Sequence, residues 1–179
     1  NIEAIMAGLK ASVKDTSFAI PESEMQAVVT GYFQKKQAAK QAEEAGNTEK
    51  MKASGLQFLA ENKTKPGVVT TPSGLQYLVM KEGTGKQPTA TSNVTVHYHG
   101  TTPDGTVFDS SVDRGQPATF GLNQVIKGWT EGVALMKEGA KYKFFIPQEL
   151  AYGASPRPGT AIKPYMPLVF EVELITVNE

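Results

Sequence analysis

The composition of the chain changes abruptly at Lys65-Pro66-Gly67, and this change constrains the fold more than any other feature of the sequence. The residues before it are rich in Ala, Gln, Glu, Lys and Met, which favour helix. The residues after it are rich in Val, Thr, Tyr, Phe, Gly and Pro, in short runs that favour strands and turns. The sequence therefore predicts a helical N-terminal part followed by a β-rich C-terminal part.

The start of the chain carries an apolar surface that is too small to be a core by itself. A first helix is predicted from one apolar face, and the beginning of a second helix adds an apolar stripe. These residues are Ile2, Ile5, Met6, Leu9 and Val13, and then Met25, Val28, Val29, Tyr32 and Phe33. Exposed apolar surfaces of this kind usually find a partner. Two interpretations stay open: the two helices pack on each other, or the chain forms a homodimer through this end.

The second helix is predicted to begin near Pro21, which suits the first helical position, and to run to about Asn62 without another proline. Its middle, residues 34–55, has almost no apolar stripe and cannot be buried. The helix is therefore either one solvent-exposed element or it breaks at Gly46-Asn47. We favour the continuous helix.

The C-terminal part contains several strand patterns and one helical pattern. The predicted strands are Gly74–Met80, Val94–His99, Thr106–Asp109, Lys141–Ile146 and Leu168–Val177, and the helical pattern covers Val125–Met136. Many strands with one short helix indicate an antiparallel sheet wrapped on that helix, which is an α+β domain.

Composition excludes several classes of function. The formal net charge is +0, which gives no indication of nucleic-acid binding or of an anionic membrane partner. The chain has no cysteine, so disulfides and thiolate metal sites are excluded. His97 and His99 share a strand face and could bind a metal, but we favour two exposed histidines and predict neither a metal nor a cofactor. No apolar run is long enough to cross a bilayer.

The segment Val94–Gly139 contains a tyrosine, phenylalanines and the only tryptophan, with Asp109 directly beside Phe108. This composition is typical of an apolar cup with one or two polar groups at its rim. Such a cup suits an apolar ligand, or a reaction that needs a dry environment more than a nucleophile. Taken singly, each residue has an ordinary explanation, since aromatic side chains commonly fill cores and Asp109 could cap a turn.

Four motifs carry a resemblance to a known family. They are GTVFDSS at 105–111, VIKGW at 125–129, AYG at 151–153 and LVFEVEL at 168–174. In this order and spacing, the chain from about Thr71 to Glu179 resembles the FKBP-type peptidyl-prolyl cis-trans isomerases. The stretch FLAENKTKPGVVTTPSGLQY at 58–77 resembles the macrophage infectivity potentiator subgroup, which includes the bacterial 22-kDa-type FKBPs.

The resemblance implies an FKBP-like sheet wrapped on a short helix, after a helical N-terminal region with a long connecting helix. It divides the chain into a helical dimerisation region, 1–33, a long exposed helix and linker, 34–66, and an isomerase domain, 67–179. In the family the Ile126 N–H and the Tyr152 hydroxyl would hold ligand carbonyls, above a floor formed by Trp129. The implied catalytic residues are Tyr98, Phe108, Asp109, Trp129, Tyr152 and Phe170, and the implied substrate-binding residues are Phe120, Val125, Ile126 and Ile162.

The resemblance also implies an activity and partners. We expect acceleration of X-Pro bond rotation in unfolded or nascent polypeptides, inhibition by macrolides such as FK506 or rapamycin, and a homodimer through the N-terminal helices. The alternative is a chaperone or peptide-binding module in which a helical dimer cleft holds unfolded clients. The lack of cysteine and of a starting methionine favours the periplasm or an outer-membrane or surface-associated location, and a cytoplasmic location stays open.

Overall fold

The computed structural model describes residues 22–156 and 159–178. The predicted first helix over residues 2–13 lies outside the described residues, as do Arg157 and Pro158 of the proline-rich loop. The chain divides into two compact units, residues 1–46 and 47–179. The domain limits that the family resemblance implies, after residues 33 and 66, stay a prediction.

Helix α1 runs without interruption over Glu22–Lys63, so the prediction of one continuous helix is confirmed. In the first unit its side chains are exposed from residue 26 to residue 46. The helix ends because Pro66 cannot continue it and Gly67 adopts a φ of 80°, a left-handed conformation that glycine tolerates. Pro66 and Gly67, which mark the change in composition, therefore end the helix as the sequence predicts.

In the second unit, seven strands form one antiparallel sheet among the described residues. The strands are β1 Val68–Thr70, β2 Gln76–Lys81, β3 Asn93–Thr101, β4 Val107–Ser110, β5 Ala118–Gly121, β6 Lys141–Ile146 and β7 Leu168–Asn178. Their order is β1-β2-β6-β7-β3-β4, and β5 also pairs with β3. The predicted α+β architecture is confirmed, and β1 and β5 are strands that the sequence pattern did not predict.

Helix α2, Lys127–Ala134, packs closely on the core face of the sheet. Two of its glycines allow this approach. A Cβ atom at Gly128 would lie 2.4 Å from Cγ2 of Ile146, and one at Gly132 would lie 2.7 Å from Cε1 of Phe144. Alternation along β3 places Val94, Val96 and Tyr98 in the same core. The helix and β3 thereby bring their aromatic side chains together.

The last turns of α1 are joined to the sheet by a buried amide pair. The Asn62 Nδ2 donates to Gln76 Oε1 at 2.9 Å, and the Gln76 Nε2 donates to the Leu59 carbonyl at 2.8 Å. Asn62 is 0% exposed. Phe58 adds a ring contact with Phe145, with centroids 6.2 Å apart. Polar and apolar contacts together fix the end of α1 against β2 and β6.

Candidate active site

One cavity of about 910 Å³ opens on the α2 side of the sheet, and every predicted site residue lines it. It receives side chains from β3, β4, β5, β7, α2 and the segment that precedes β7. The lining residues that the sequence predicted are Tyr98, Phe108, Asp109, Phe120, Val125, Ile126, Trp129, Tyr152, Ile162 and Phe170. The volume is that of a small-molecule or peptide site.

The aromatic side chains are arranged nearly perpendicular to the indole of Trp129. The ring centroids of Tyr98, Phe120 and Phe170 lie 5.3, 5.8 and 5.3 Å from that of Trp129, with interplanar angles of 82°, 90° and 84°. Phe108 in turn contacts Phe170 edge to face at 5.3 Å. Edge-to-face pairs are the favoured geometry of aromatic rings, so these contacts stabilise a preformed apolar wall.

Gly100 makes room for two of these rings. A Cβ atom at Gly100 would lie 2.7 Å from Cε1 of Phe170 and 2.8 Å from Cζ of Phe108. Any side chain at this position of β3 would therefore displace both rings, which line the cavity. A glycine inside a strand pattern signals such a close approach, and this signal in VHYHG was available from the sequence.

The rim of the cavity carries one anchored carboxylate. The Tyr98 hydroxyl donates to Asp109 Oδ2 at 2.7 Å, and Arg114 Nη1 donates to Asp109 Oδ1 at 2.5 Å. Arg114 Nη2 also donates to the Tyr98 hydroxyl at 2.8 Å. Each of the three groups contacts the other two, so the orientation of the carboxylate is fixed.

This network shifts two pKa values in opposite directions. Burial by itself raises the pKa of the Asp109 carboxyl, but the hydrogen bonds from Arg114 and Tyr98 outweigh it and the net pKa lies below its ordinary value. Burial, and next the hydrogen bond to Asp109, raise the pKa of the Tyr98 hydroxyl. Near neutral pH Asp109 is therefore a charged acceptor and a weak base, while Tyr98 keeps its proton.

Among the hydrogen-bond donors at the cavity, two that a ligand could use have no protein acceptor within the described ranges. They are the backbone N–H of Ile126, which precedes α2 in an extended conformation, and the hydroxyl of Tyr152. A donor that is not used inside the protein is available to a ligand carbonyl. The indole N–H of Trp129 also has no acceptor among those residues, but unlike the other two donors it lies on a buried residue.

Arg114 and several polar residues at the cavity were not among the predicted site residues. The further lining residues are Asn93, Thr119, Gly121, Gln124 and Thr160. Arg114 follows Asp109 by five positions in a turn-rich stretch, and a basic residue near a rim carboxylate was the signal that could have found it. For the other five, the sequence pattern shows only which strand or loop they lie on, and not which way that element faces the cavity.

The two histidines are half-buried and make hydrogen bonds with serines, and His99 Nδ1 also lies 4.0 Å from Asp113 Oδ2. His97 Nδ1 lies 3.2 Å from Ser111 Oγ, and His99 Nδ1 lies 2.9 Å from Ser110 Oγ. Over residues 22–156 and 159–178, no group of three or more His, Asp or Glu side chains is placed to hold a metal ion. Within the same ranges no helix has the length and apolar character needed to span a membrane.

Comparisons with known proteins give matches over most of the chain. A family model described as FKBP-type peptidyl-prolyl cis-trans isomerase matches residues 84–175. A second model, described as the domain amino terminal to FKBP-type peptidyl-prolyl isomerase, matches residues 1–79. The crystal structure of FkpA from Escherichia coli superposes with a TM-score of 0.79 at 35% identity, over 99% of this chain and 82% of that one.

Two curated proteins are similar at the level of sequence. The FKBP-type peptidyl-prolyl cis-trans isomerase FkpA of Aeromonas hydrophila is 50% identical over 161 residues, which are 88% of this chain and 58% of that protein. The outer membrane protein MIP of Legionella longbeachae is 41% identical over 180 residues, which are 100% of this chain and 76% of that protein. The matched part is thus little more than half the length of the first relative.

Proposed function

This chain belongs to the FKBP-type peptidyl-prolyl cis-trans isomerase family, and on that premise we propose that its cavity accelerates rotation about X-Pro peptide bonds in polypeptide substrates. One observation carries the proposal. A set of nearly perpendicular aromatic rings lies beside unused hydrogen-bond donors and one anchored carboxylate. This arrangement has apolar surface for a proline ring, donors for its neighbouring carbonyls, and no activated nucleophile.

The chemistry explains why these groups suffice. Rotation of a peptide bond faces a barrier of about 18–20 kcal/mol because amide resonance must be broken, and no covalent bond is made or cleaved. The twisted amide is less polar than the planar one, so a dry apolar environment destabilises the planar state more. Trp129, Tyr98 and Phe170 hold the proline ring, while the Ile126 N–H and the Tyr152 hydroxyl bind carbonyls of the substrate chain. Asp109 orients polar groups at the rim.

A proline-peptide assay tests this function. Wild-type protein is expected to accelerate cis-trans interconversion, and Trp129→Ala and Asp109→Ala are expected to lower kcat/KM, because the first removes apolar floor and the second removes the anchored acceptor. The far-ultraviolet circular dichroism of each variant serves as the control for folding. A wild-type protein that does not accelerate the interconversion, or variants as active as wild type, would contradict the proposal.

The same cavity is proposed to bind macrolide inhibitors such as FK506 or rapamycin in competition with proline-containing substrates. Such ligands present an apolar ring and neighbouring carbonyls, which the aromatic rings and the two unused donors match. Saturating macrolide is expected to abolish isomerase activity. Activity that persists at saturation would place the reaction elsewhere.

We further propose that the chain forms a homodimer through its N-terminal helices. The supporting observation is an apolar stripe on α1, where Val28, Val29, Tyr32 and Phe33 are 70%, 49%, 53% and 63% exposed. Apolar patches of this kind usually mark interaction surfaces. The same stripe is the one observation that favours a second candidate function, a chaperone whose helical dimer holds unfolded clients. We propose an exported, periplasmic or outer-membrane-associated protein, which is consistent with the name of the Legionella relative.

A further inference from the structure

The segment between the 3-10 helix Gln148–Leu150 and β7 has two different neighbours. Tyr152, Thr160 and Ile162 line the active-site cavity. Farther along the segment, Tyr165 and Pro167 lie against the last turns of α1. No described residue of α1 lines the cavity itself. The segment therefore contacts α1 through Tyr165 and Pro167, and it lines the cavity through Tyr152, Thr160 and Ile162.

The contact with α1 is centred on Gly55. A Cβ atom at Gly55 would lie 3.0 Å from Cδ of Pro167 and 3.4 Å from the carbonyl oxygen of Tyr165. Non-bonded carbon atoms pack best at about 3.5–4.0 Å, so the segment lies this close only because residue 55 has no side chain. Two other glycines of the same helix differ in this respect, because a Cβ atom at Gly31 or Gly46 meets nothing within 4 Å.

A second contact holds the segment one turn earlier on α1. The Lys52 Nζ lies 4.7 Å from the ring centroid of Tyr165. Tyr165 has a φ of 59°, a left-handed conformation that residues other than glycine rarely adopt. Such a conformation persists only where surrounding contacts fix it, and such residues are frequent at functional sites. The ring contact with Lys52 and the backbone contact at Gly55 are two of these fixing contacts.

Backbone hydrogen bonds connect this contact to the cavity. The Tyr165 N–H donates to the Gly153 carbonyl at 2.8 Å, and Gly153 directly follows Tyr152. The Met166 N–H donates to the Lys163 carbonyl at 3.3 Å, and Lys163 directly follows Ile162. Tyr165 is thus hydrogen-bonded to the residue that follows Tyr152, and Met166, which stands between Tyr165 and Pro167, is hydrogen-bonded to the residue that follows Ile162. A displacement of Tyr165 and Pro167 would therefore act on both cavity residues through these bonds.

The contact is also local. A cavity of about 260 Å³ opens beside it, and its lining residues are Lys52, Gly55, Leu56, Leu59, Gln148, Glu149, Tyr165 and Pro167. Because this space is open, packing on all sides does not fix the segment. On the side that faces α1, the contacts at Gly55 and Lys52 therefore help to determine where the segment lies.

We propose that the last turns of α1 belong to the isomerase machinery, with Gly55 and Lys52 as positioning residues that set Tyr152 and Ile162 at the cavity. This inference rests on the proposed isomerase function, because its effect is measured through that reaction. Positioning matters to such a site, since a misplacement of about 1 Å can cost roughly 100-fold in rate.

The test compares glycine substitutions in one helix of the full chain. Gly55→Ala and Gly55→Leu are measured beside Gly46→Ala and Gly46→Leu, which give the same gain in helix propensity without a neighbour. The expected kcat/KM is lowered about threefold in Gly55→Ala and about tenfold in Gly55→Leu, and it is unchanged in both Gly46 variants. The amide signals of Gly153 and Ile162 in NMR spectra are expected to shift only in the Gly55 variants.

A second substitution separates positioning from a general loss of stability. Pro167→Ala removes the Cδ and Cγ atoms that the new Cβ would meet, so activity in Gly55→Ala/Pro167→Ala is expected to return to that of Pro167→Ala alone. The inference is overturned if wild type is active and the Gly55 variants match the Gly46 variants, or if the loss in Gly55→Ala is equal in both backgrounds. An inactive wild type contradicts instead the proposed function.

Discussion

At the scale of single residues, Asp109 is held by two donors and this limits what it can do. Arg114 and Tyr98 both donate to its carboxylate, and its pKa lies below the ordinary value for an aspartate. A carboxylate with a lowered pKa is a poor proton acceptor near neutral pH. We therefore propose that Asp109 is a fixed charge that orients polar groups, which agrees with a reaction that transfers no proton.

The lowered pKa of Asp109 predicts how activity depends on pH. A carboxyl whose folded-state pKa is lowered makes its contribution above the unfolded-state value, and that contribution is lost as the pH falls through the folded-state value. We expect kcat/KM to stay level from pH 8 down to about 4, near the ordinary aspartate pKa, and to fall only below it. Steady-state rates across this range give the measurement.

Asp109→Asn supplies the matched control for this pH profile, because the amide keeps the shape but cannot titrate. Its kcat/KM is expected to be lower than that of wild type and to lack the decline at low pH. A wild-type profile with a midpoint near neutrality would contradict the assignment, since Asp109 would then be a base rather than a fixed acceptor.

Gly100 leads to a second prediction at this scale. In Gly100→Ala the new methyl would overlap the rings of Phe108 and Phe170, which line the cavity and must move. We expect a loss of about 10-fold to 100-fold in kcat/KM, together with an overpacking cost of about 1–3 kcal/mol in the free energy of unfolding. Peptide kinetics and urea unfolding measure the two effects.

Val107→Ala is the control for Gly100→Ala, since Val107 lies on the neighbouring strand with 44% of its surface exposed and does not line the cavity. It is expected to retain wild-type kcat/KM. If Gly100→Ala also retained it, the close approach of the glycine to the rings would have no part in shaping the site.

The ten predicted side chains all line the cavity, because motif order grouped them as a set, and their roles stay a prediction. Tyr98, Phe108 and Trp129 are far apart along the chain, and no periodicity alone joins them. Arg114 and Gly100 were not predicted, and the reasons are physical. The hydrogen bonds of Arg114 depend on how a turn folds back on β4, and the role of Gly100 depends on rings that arrive from two other strands.

At the scale of secondary-structure elements, the junction between α1 and β2 depends on one buried amide pair. The side-chain nitrogen of Asn62 donates to Gln76, and its side-chain oxygen, Oδ1, remains without a donor among the described residues. Asn62→Ala leaves Gln76 Oε1 without its partner, so we expect a loss of about 1–3 kcal/mol in the free energy of unfolding. Urea unfolding monitored by fluorescence of Trp129 measures it.

Gln57→Ala is the matched control for the amide pair, because Gln57 donates to Glu61 at 2.9 Å in an exposed pair on the same helix. An exposed pair of this spacing contributes only about 0.2–0.5 kcal/mol. Equal effects of the two substitutions would show that the buried pair does not hold α1 on the sheet.

The sequence also predicted the elements unequally. Strand β6 was predicted with its observed bounds, because the run KYKFFI, with three aromatic residues and one isoleucine, stands between Gly139 and Pro147. Strands β1 and β5 have only three and four residues, too few for alternation to be visible. They form because β2 and β3 offer unpaired edges, and such tertiary pairing leaves no local signal in the sequence.

At the scale of the whole molecule, the exposed stripe on α1 predicts a dimer. Wild type is expected to sediment as a dimer at micromolar concentration, and Tyr32→Ser/Phe33→Ser is expected to sediment as a monomer, because the change removes two aromatic side chains from the interface. Gln37→Ser/Gln41→Ser, at exposed polar positions of the same helix, is expected to remain dimeric. A monomeric wild type would remove the dimer proposal.

The same variants distinguish an isomerase from a chaperone. Isomerase activity on a short peptide is expected to be equal in Tyr32→Ser/Phe33→Ser and wild type, because the stripe lies outside the cavity. Suppression of aggregation of an unfolded protein is expected to fall in that variant if a dimer cleft holds clients. Equal suppression by both proteins would exclude the cleft as a client site.

Exchange NMR on a proline-containing peptide tests the central claim, that the cavity catalyses X-Pro rotation without proton transfer. Catalytic amounts of wild type are expected to raise the cis-to-trans and trans-to-cis rates by the same factor, with equal rates in H₂O and D₂O, and a folded Trp129→Leu variant is expected to lose most of that gain. Rates that wild type leaves unchanged, a Trp129→Leu variant as fast as wild type, or a large solvent isotope effect would contradict the account.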